Sequence, residues 1–289
     1  MIQPKIELIK APGGLSIKTA IFEPNNSPVG VVQIIHGFGE HVDRYYEIAD
    51  FFASNGYVCV IYDQRGHGEM PEISACKRRQ KMIGIVKNYD CLLDDVSFIR
   101  TEIVTRYPEC PVFLYGHSMG GNIVLNYLLK RSENNYDKVI LESPWIRLYK
   151  PRSVLEVKLA HIIGRLNSYA AINSKLNVHI LSRNPAVSEA IKADKYFHTR
   201  MSYRLFAQMT YAGEYALLHA KDLKIPILLL CGGKDKIACP KAMREFSEKS
   251  KDNVLLFEDL EGYHMLRLDE EETKRSVLNR ILEFLGSGQ

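Results

Sequence analysis

Gly116-His117-Ser118-Met119-Gly120 places a serine between two glycines, directly after the apolar run Val112-Phe113-Leu114-Tyr115. A serine on a tight turn from strand to helix pushes its Oγ out of the sheet, where it can act as a nucleophile. The glycines suit the bend, where larger side chains would clash. Serine alone is a poor nucleophile at neutral pH; it needs a base to take its proton and a third group to orient that base. Asp235 follows the apolar run Ile227 to Cys231, just past a strand's carboxyl end, where open α/β sheets build their sites. His264 lies in the turn Glu261-Gly262-Tyr263-His264, before the last helical stretch. Ser118, Asp235 and His264 together read as nucleophile, orienting acid and base, although Asp235 alone reads equally well as a turn residue and His264 alone as a surface histidine.

Acyl transfer also requires donors for the oxyanion, and rigid backbone N–H groups suit that task. His36-Gly37-Phe38-Gly39 follows the third apolar strand directly, so the expected donors are the amides of Phe38 and Met119. His36 is read as bracing this loop, because no partner stands at metal-ligand spacing from it.

The elements that must position these residues are legible from periodicity. Residues 5–9 and 16–22 alternate and read as an antiparallel hairpin at a sheet edge, joined across Pro12-Gly13-Gly14. Residues 30–35, 57–62, 112–115, 138–141 and 225–230 are near-continuous apolar runs, as in parallel strands covered on both faces. Helical spacing recurs over 45–54, 91–105, 122–130, 241–250 and 271–285. The repeating order of strand and helix predicts an α/β fold, a mostly parallel doubly wound sheet with right-handed crossovers. The order Ser, Asp, His along the chain is the one expected of the α/β-hydrolase fold.

Strand runs disappear between Trp145 and Lys221. The expected organisation is a core of residues 1–144 and 222–289, with a helical cap inserted at 145–221. Within the cap, Leu155, Leu159, Ile162, Ile163 and Leu166 form one helical face. Packing on the core is the favoured reading of that face, and lining a lipid entrance is the alternative.

A formal charge of +4 gives no reason to expect a nucleic-acid partner. The basic cluster Lys77-Arg78-Arg79-Gln80-Lys81 reads as a solvated loop. Cys59, Cys76, Cys91, Cys110, Cys231 and Cys239 have neither paired nor metal-ligand spacing and read as reduced thiols. With no secretory leader or membrane-length apolar run visible, cytoplasmic residence is the expectation.

His36-Gly37-Phe38-Gly39-Glu40-His41, Asp63-Gln64-Arg65-Gly66-His67-Gly68 and Gly116 to Gly121 resemble the motif set of the monoacylglycerol lipase and lysophospholipase family of α/β-hydrolases. The resemblance continues through Glu142-Ser143-Pro144 and Gly233-Lys234-Asp235 to Tyr263-His264. It implies a serine esterase that works without cofactor or metal on a small ester, such as a single-chain acyl lipid. It also implies structural roles for Glu40, Arg65 and His117, bracing the oxyanion loop and the turn at Ser118. The segment Glu69 to Lys87 departs from the family pattern, being longer, basic and cysteine-bearing. Small-ester hydrolysis and removal of N-terminal residues from peptides are the alternative activities. The latter would need a cap acid such as Glu156, Glu189, Asp194 or Glu214 to hold an ammonium group. A non-catalytic receptor on the same fold is the alternative of a different class. Transient membrane contact through the cap is a further expectation, and oligomeric state is not readable from the sequence.

Overall fold

The computed structural model describes residues 2–11, 16–69, 82–131, 135–174 and 176–286. The chain order is β1 (Lys5–Lys10), β2 (Ser16–Phe22), β3 (Gly30–Ile35), α1 (Tyr46–Ser54), β4 (Tyr57–Tyr62), α2 (Asp90–Arg106), β5 (Val112–His117), α3 (Met119–Lys130) and β6 (Lys138–Glu142). It continues with α4 (Val154–Leu166), β7 (Ala171–Asn173), α5 (Pro185–Ala193), β8 (Arg200–Ser202), α6 (Tyr203–Leu218), β9 (Ile227–Gly232), α7 (Pro240–Lys249), β10 (Val254–Asp259) and α8 (Glu271–Gly286).

Eight strands form one sheet in the order β1-β2-β4-β3-β5-β6-β9-β10. β2 runs antiparallel to both its neighbours, and every pairing from β4 to β10 is parallel. This is the predicted sheet with its edge hairpin; the hairpin's joining residues 12–14 lie outside the described residues. Successive residues of a strand point to opposite faces, and both faces are covered. In β3, Val31 and Ile35 pack into the cluster that holds α2, α3, α6 and α7, whereas Val32 and Ile34 pack into the one that holds α1 and α8. Two buried layers explain why the central strands are near-continuous apolar runs.

The topology fixes where a site can form. From β3 the chain crosses to β4 on one side and then returns to β5 on the other, which opens a crevice between the carboxyl ends of β3 and β5. The loop beginning at His36 leaves β3 there, and Ser118 directly follows β5.

Two expectations for residues 145–221 need correction. A two-stranded antiparallel ribbon, β7 with β8, interrupts the helices, and three-residue strands are too short to show alternation in sequence. The apolar face of α4 points outward: Leu155 is 76% exposed and Leu166 84%. The buried positions of α4 are Val157, Ala160 and Gly164. A Cβ on Gly164 would lie 2.6 Å from the Arg204 Cα, so small residues set the seam with α6 and the larger ones are left in solvent. The basic cluster 77–81 and Cys76 lie outside the described residues, whereas Gly84 is pinned by the Ser202 N–H donating to its carbonyl at 3.0 Å.

Candidate active site

Ser118 is the N-cap of α3, with φ 52° and ψ −113°. A non-glycine residue in that region is strained and persists only where its surroundings over-determine it. Here they do. The Ser118 N–H donates to the Glu142 carbonyl at 3.0 Å, and the Ser118 carbonyl accepts from Trp145 N at 2.9 Å and Asn122 N at 3.2 Å. α3 also rides close under β3, since a Cβ on Gly120 would stand 2.0 Å from the Ile35 carbonyl oxygen. That contact requires the second glycine of the motif.

Asp235 and His264 are brought together from the ends of β9 and β10. Asp235 Oδ1 accepts from the N–H groups of Ile237 at 2.7 Å and Ala238 at 3.0 Å, and Oδ2 lies 2.7 Å from His264 Nδ1. A carboxylate acceptor on Nδ1 fixes the proton there and leaves Nε2 as the basic nitrogen. Burial works to lower the His264 pKa, but the Asp235 charge and its hydrogen bond outweigh it and hold the imidazole above its ordinary value. The His264 ring lies 4.9 Å from that of His117, the residue before Ser118. Ser118, Asp235 and His264 are 7%, 1% and 2% exposed, so the chemistry they support is shielded from bulk water.

The loop after β3 is held from below. The Gly37 N–H donates to Glu40 Oε2 at 3.1 Å and to the Tyr45 hydroxyl oxygen at 3.0 Å, and that hydroxyl donates to Glu40 at 2.6 Å. His36 Nε2 accepts from the Gln64 N–H at 3.0 Å, which places its proton on Nδ1, 2.8 Å from the Gly37 carbonyl. Burial pushes the His36 pKa down to about 4, so this ring is a neutral brace, as expected. The amides of Phe38 and Met119 have no acceptor among the described residues, Met119 because the first residue of a helix has no preceding turn.

Beneath both loops lies a buried polar cluster. Arg267 donates its backbone N–H to Glu142 Oε1 at 2.9 Å and Nη1 to Oε2 at 2.8 Å, while Nη2 lies 3.5 Å from Glu40. Burial works to raise both glutamate pKa values, but Arg267, together with His117 and the tyrosine hydrogen bonds, outweighs it and holds them well below the usual carboxylate range. Burial keeps His117 neutral, with Nδ1 donating to the Glu142 carbonyl at 3.2 Å. Glu40 and His117 thus brace the loop and the turn. Arg65 instead forms a two-pronged pair with Asp95 of α2, at 2.6 and 2.7 Å, and so fixes the turn after β4.

Arg267 is the member of this cluster that motif reading does not reach. Its only sequence signal is a cation between Leu266 and Leu268, three residues after His264. A separate cleft of about 340 Å³, lined by residues including Arg44, Phe51, Arg267 and Leu278, contains none of Ser118, Asp235 and His264. Among the described residues no cluster of side chains suits a metal ion.

Comparison with known proteins identifies the family. The family described as "Serine aminopeptidase, S33" matches residues 26–271. An uncharacterized abhydrolase domain-containing protein of Dictyostelium discoideum is 30% identical over 94% of this chain, which spans only 27% of that longer protein. A monoacylglycerol lipase of Mycolicibacterium smegmatis is 28% identical, covering 78% of this chain and 77% of its own. Among solved structures, a soluble variant of Saccharomyces cerevisiae monoglyceride lipase superposes with a TM-score of 0.84 at 20% identity, covering 99% of this chain and 96% of that one. The chain therefore belongs to the S33 family of α/β-hydrolases, as a monoacylglycerol lipase-like serine hydrolase.

Proposed function

We propose that this protein hydrolyses carboxylic esters through an acyl-enzyme, with a monoacylglycerol or lysophospholipid as the substrate class. Ser118 attacks the ester carbonyl carbon while His264 Nε2 takes the hydroxyl proton. Asp235 keeps the imidazole in the required tautomer and stabilises the imidazolium that forms. The Phe38 and Met119 amides bind the oxyanion. On collapse the carbon–oxygen bond to the alcohol breaks, His264 protonates the departing alkoxide, and an acyl-Ser118 ester remains. Water, deprotonated by His264, then attacks that ester and releases the fatty acid. The steps balance without a metal or cofactor.

The observation that carries this reading is the 2.7 Å contact of Asp235 with His264 Nδ1, which readies Nε2 as a base in a ring packed beside the Ser118 turn. The lipid substrate class draws its support from the lipase relatives and from the outward apolar face of α4. We assign residues 145–221 as a cap inserted into a core of 1–144 and 222–289, since they leave the sheet at β6 and return at its neighbour β9. Cytoplasmic residence fits the described cysteines, which are all free, and no described helix is long and apolar enough to cross a membrane.

The aminopeptidase reading requires an unpaired acid to receive the substrate's ammonium group. Each cap acid considered is already engaged: Glu156 with Arg152 and Ser153, Glu189 with Lys192, Asp194 with His41, and Glu214 with Arg147. This favours ester over peptide. The deciding experiment compares wild type with Ser118→Ala on p-nitrophenyl esters, monoacylglycerols, lysophospholipids and aminoacyl amides. Ser118→Ala should lower kcat by up to roughly 10⁶-fold while remaining folded, and should no longer be labelled by a fluorophosphonate. A variant that keeps most of its esterase activity would overturn the assignment. A wild-type protein that neither labels nor turns over would point to a receptor.

A further inference from the structure

The loop that carries Phe38 is gripped from above as well as from below. Asp194 stands at the end of α5, and His41 Nε2 lies 3.0 and 2.8 Å from its two oxygens. Arg44 Nη1 lies 3.5 Å from the same carboxylate. Asp194 Oδ1 also accepts from the N–H groups of Tyr196 at 2.9 Å and Phe197 at 3.2 Å, which folds the next residues back over the loop.

That fold-back delivers a second contact. The His198 N–H donates to the Gly39 carbonyl at 3.1 Å. Gly39 has φ +76°, and a Cβ there would stand 2.1 Å from the His198 carbonyl oxygen, so the two backbones touch. The Phe38 ring sits edge-on to the His67 ring at 5.7 Å and to the His198 ring at 5.5 Å. Residues 38, 39 and 41 therefore each meet the segment 194–198. Core contacts fix Gly37 and Glu40, but the peptide between them is steadied from the other side.

We propose that Asp194 and His198 are positioning residues for the reaction, holding the Phe38 amide where the oxyanion develops. The proposal rests on the serine-esterase reading above. An oxyanion donor misplaced by a fraction of an ångström loses transition-state stabilisation while ground-state binding survives. The signature is thus a fall in kcat at nearly constant KM, unlike a loss of substrate affinity.

The test uses the full chain with a short p-nitrophenyl ester and with a trifluoromethyl ketone, whose adduct with the serine carries an oxyanion. Asp194→Ala should lower kcat roughly 10- to 100-fold and weaken the ketone by a similar factor, with KM within about threefold of wild type. Asp194→Asn keeps Oδ1 for the turn and can still hydrogen-bond His41, so it should recover most of the loss. His41→Phe cuts the link from the core side and leaves the Asp194 turn intact. It should resemble Asp194→Ala, and the double variant should be no worse than either single one. If His41→Phe and His198→Ala fold and keep kcat and ketone affinity within twofold of wild type, the proposal is overturned, even should Asp194→Ala fail to fold. Failure of the underlying reading is a different outcome: wild type itself would then neither turn over the ester nor depend on Ser118.

Discussion

Arg267 binds Glu142 through its backbone N–H and its guanidinium together, at 2.9 and 2.8 Å, and its Cζ lies 4.1 Å from the centre of the Tyr45 ring. This one residue therefore ties the turn after His264 to the end of β6 and, through Glu40, to the loop after β3. Arg267 is the cation shared by two buried glutamates. Removing it should be far more damaging than removing a surface ion pair.

Arg267→Met should cost about 3–5 kcal/mol of stability, the usual penalty for stranding buried charge. Adding Glu142→Gln should restore part of that loss, because one of the stranded charges disappears. Both glutamates are held below their ordinary value of 4.5, so the stability they contribute is present above that pH and is lost as pH falls through their lower folded values. Urea unfolding at pH 7 checks the first point, and a series carried from pH 5 down to about pH 2 checks the second. A loss under 1 kcal/mol at pH 7 would show that the cluster tolerates its missing cation.

In the proposed mechanism His264 must be neutral to take the Ser118 proton, and the charge and hydrogen bond of Asp235 hold its pKa above the ordinary 6.5 against the opposing effect of burial. Activity should therefore fall as pH drops through an apparent pKa above 6.5. In Asp235→Asn the acid limb should move to lower pH while kcat falls by about 10⁴-fold. A pH profile of kcat/KM on a short ester reads both. An acid limb left in place by Asp235→Asn would mean that another group controls it.

The strain at Ser118 has its own consequence. With φ at 52°, serine and alanine are both disfavoured there, whereas glycine is not. Ser118→Gly should be inactive yet more stable by about 1 kcal/mol, a rise in Tm of roughly 2–4 °C. Ser118→Ala, which keeps the Cβ, should show no such gain. Equal melting temperatures for the two variants would place the strain elsewhere.

The core of the fold was readable because its signals are local. Apolar strands covered on both faces give unbroken runs, and amphipathic helices between them give a 3.6-residue period, so the predicted strand and helix positions agree with the structure to within a few residues. The positions of Ser118 and Asp235 at strand ends were readable because tight turns demand glycine and leave motifs around them. What escaped is pairing across long separations. Arg267 with Glu142, 125 positions apart, and His41 with Asp194, 153 apart, have no spacing signature. The face of α4 was misread for a related reason. Periodicity identifies an apolar stripe, but Ala160 and Gly164 decided which side could approach α6.

The outward stripe of α4 suits contact with a lipid surface. Val154, Leu155, Leu159, Ile162 and Leu166 are all more than half exposed on one well-capped helix, whose Ser153 and Glu156 bond reciprocally at its start. Lys158 and Arg165 are exposed on the same helix, a mixture suited to the headgroup boundary of a bilayer. Burying each large apolar side chain is worth about 1.5–3 kcal/mol when complete, so two acidic replacements should suffice to abolish partitioning. Leu155→Glu combined with Leu166→Glu should reduce flotation with anionic liposomes by more than about tenfold. Hydrolysis of long-chain monoacylglycerol presented in those vesicles should fall with it. Turnover of a soluble short ester should be unchanged, because neither side chain is buried against the protein. If the wild-type protein fails to float and the double variant keeps its long-chain activity, the face has a purpose other than lipid contact.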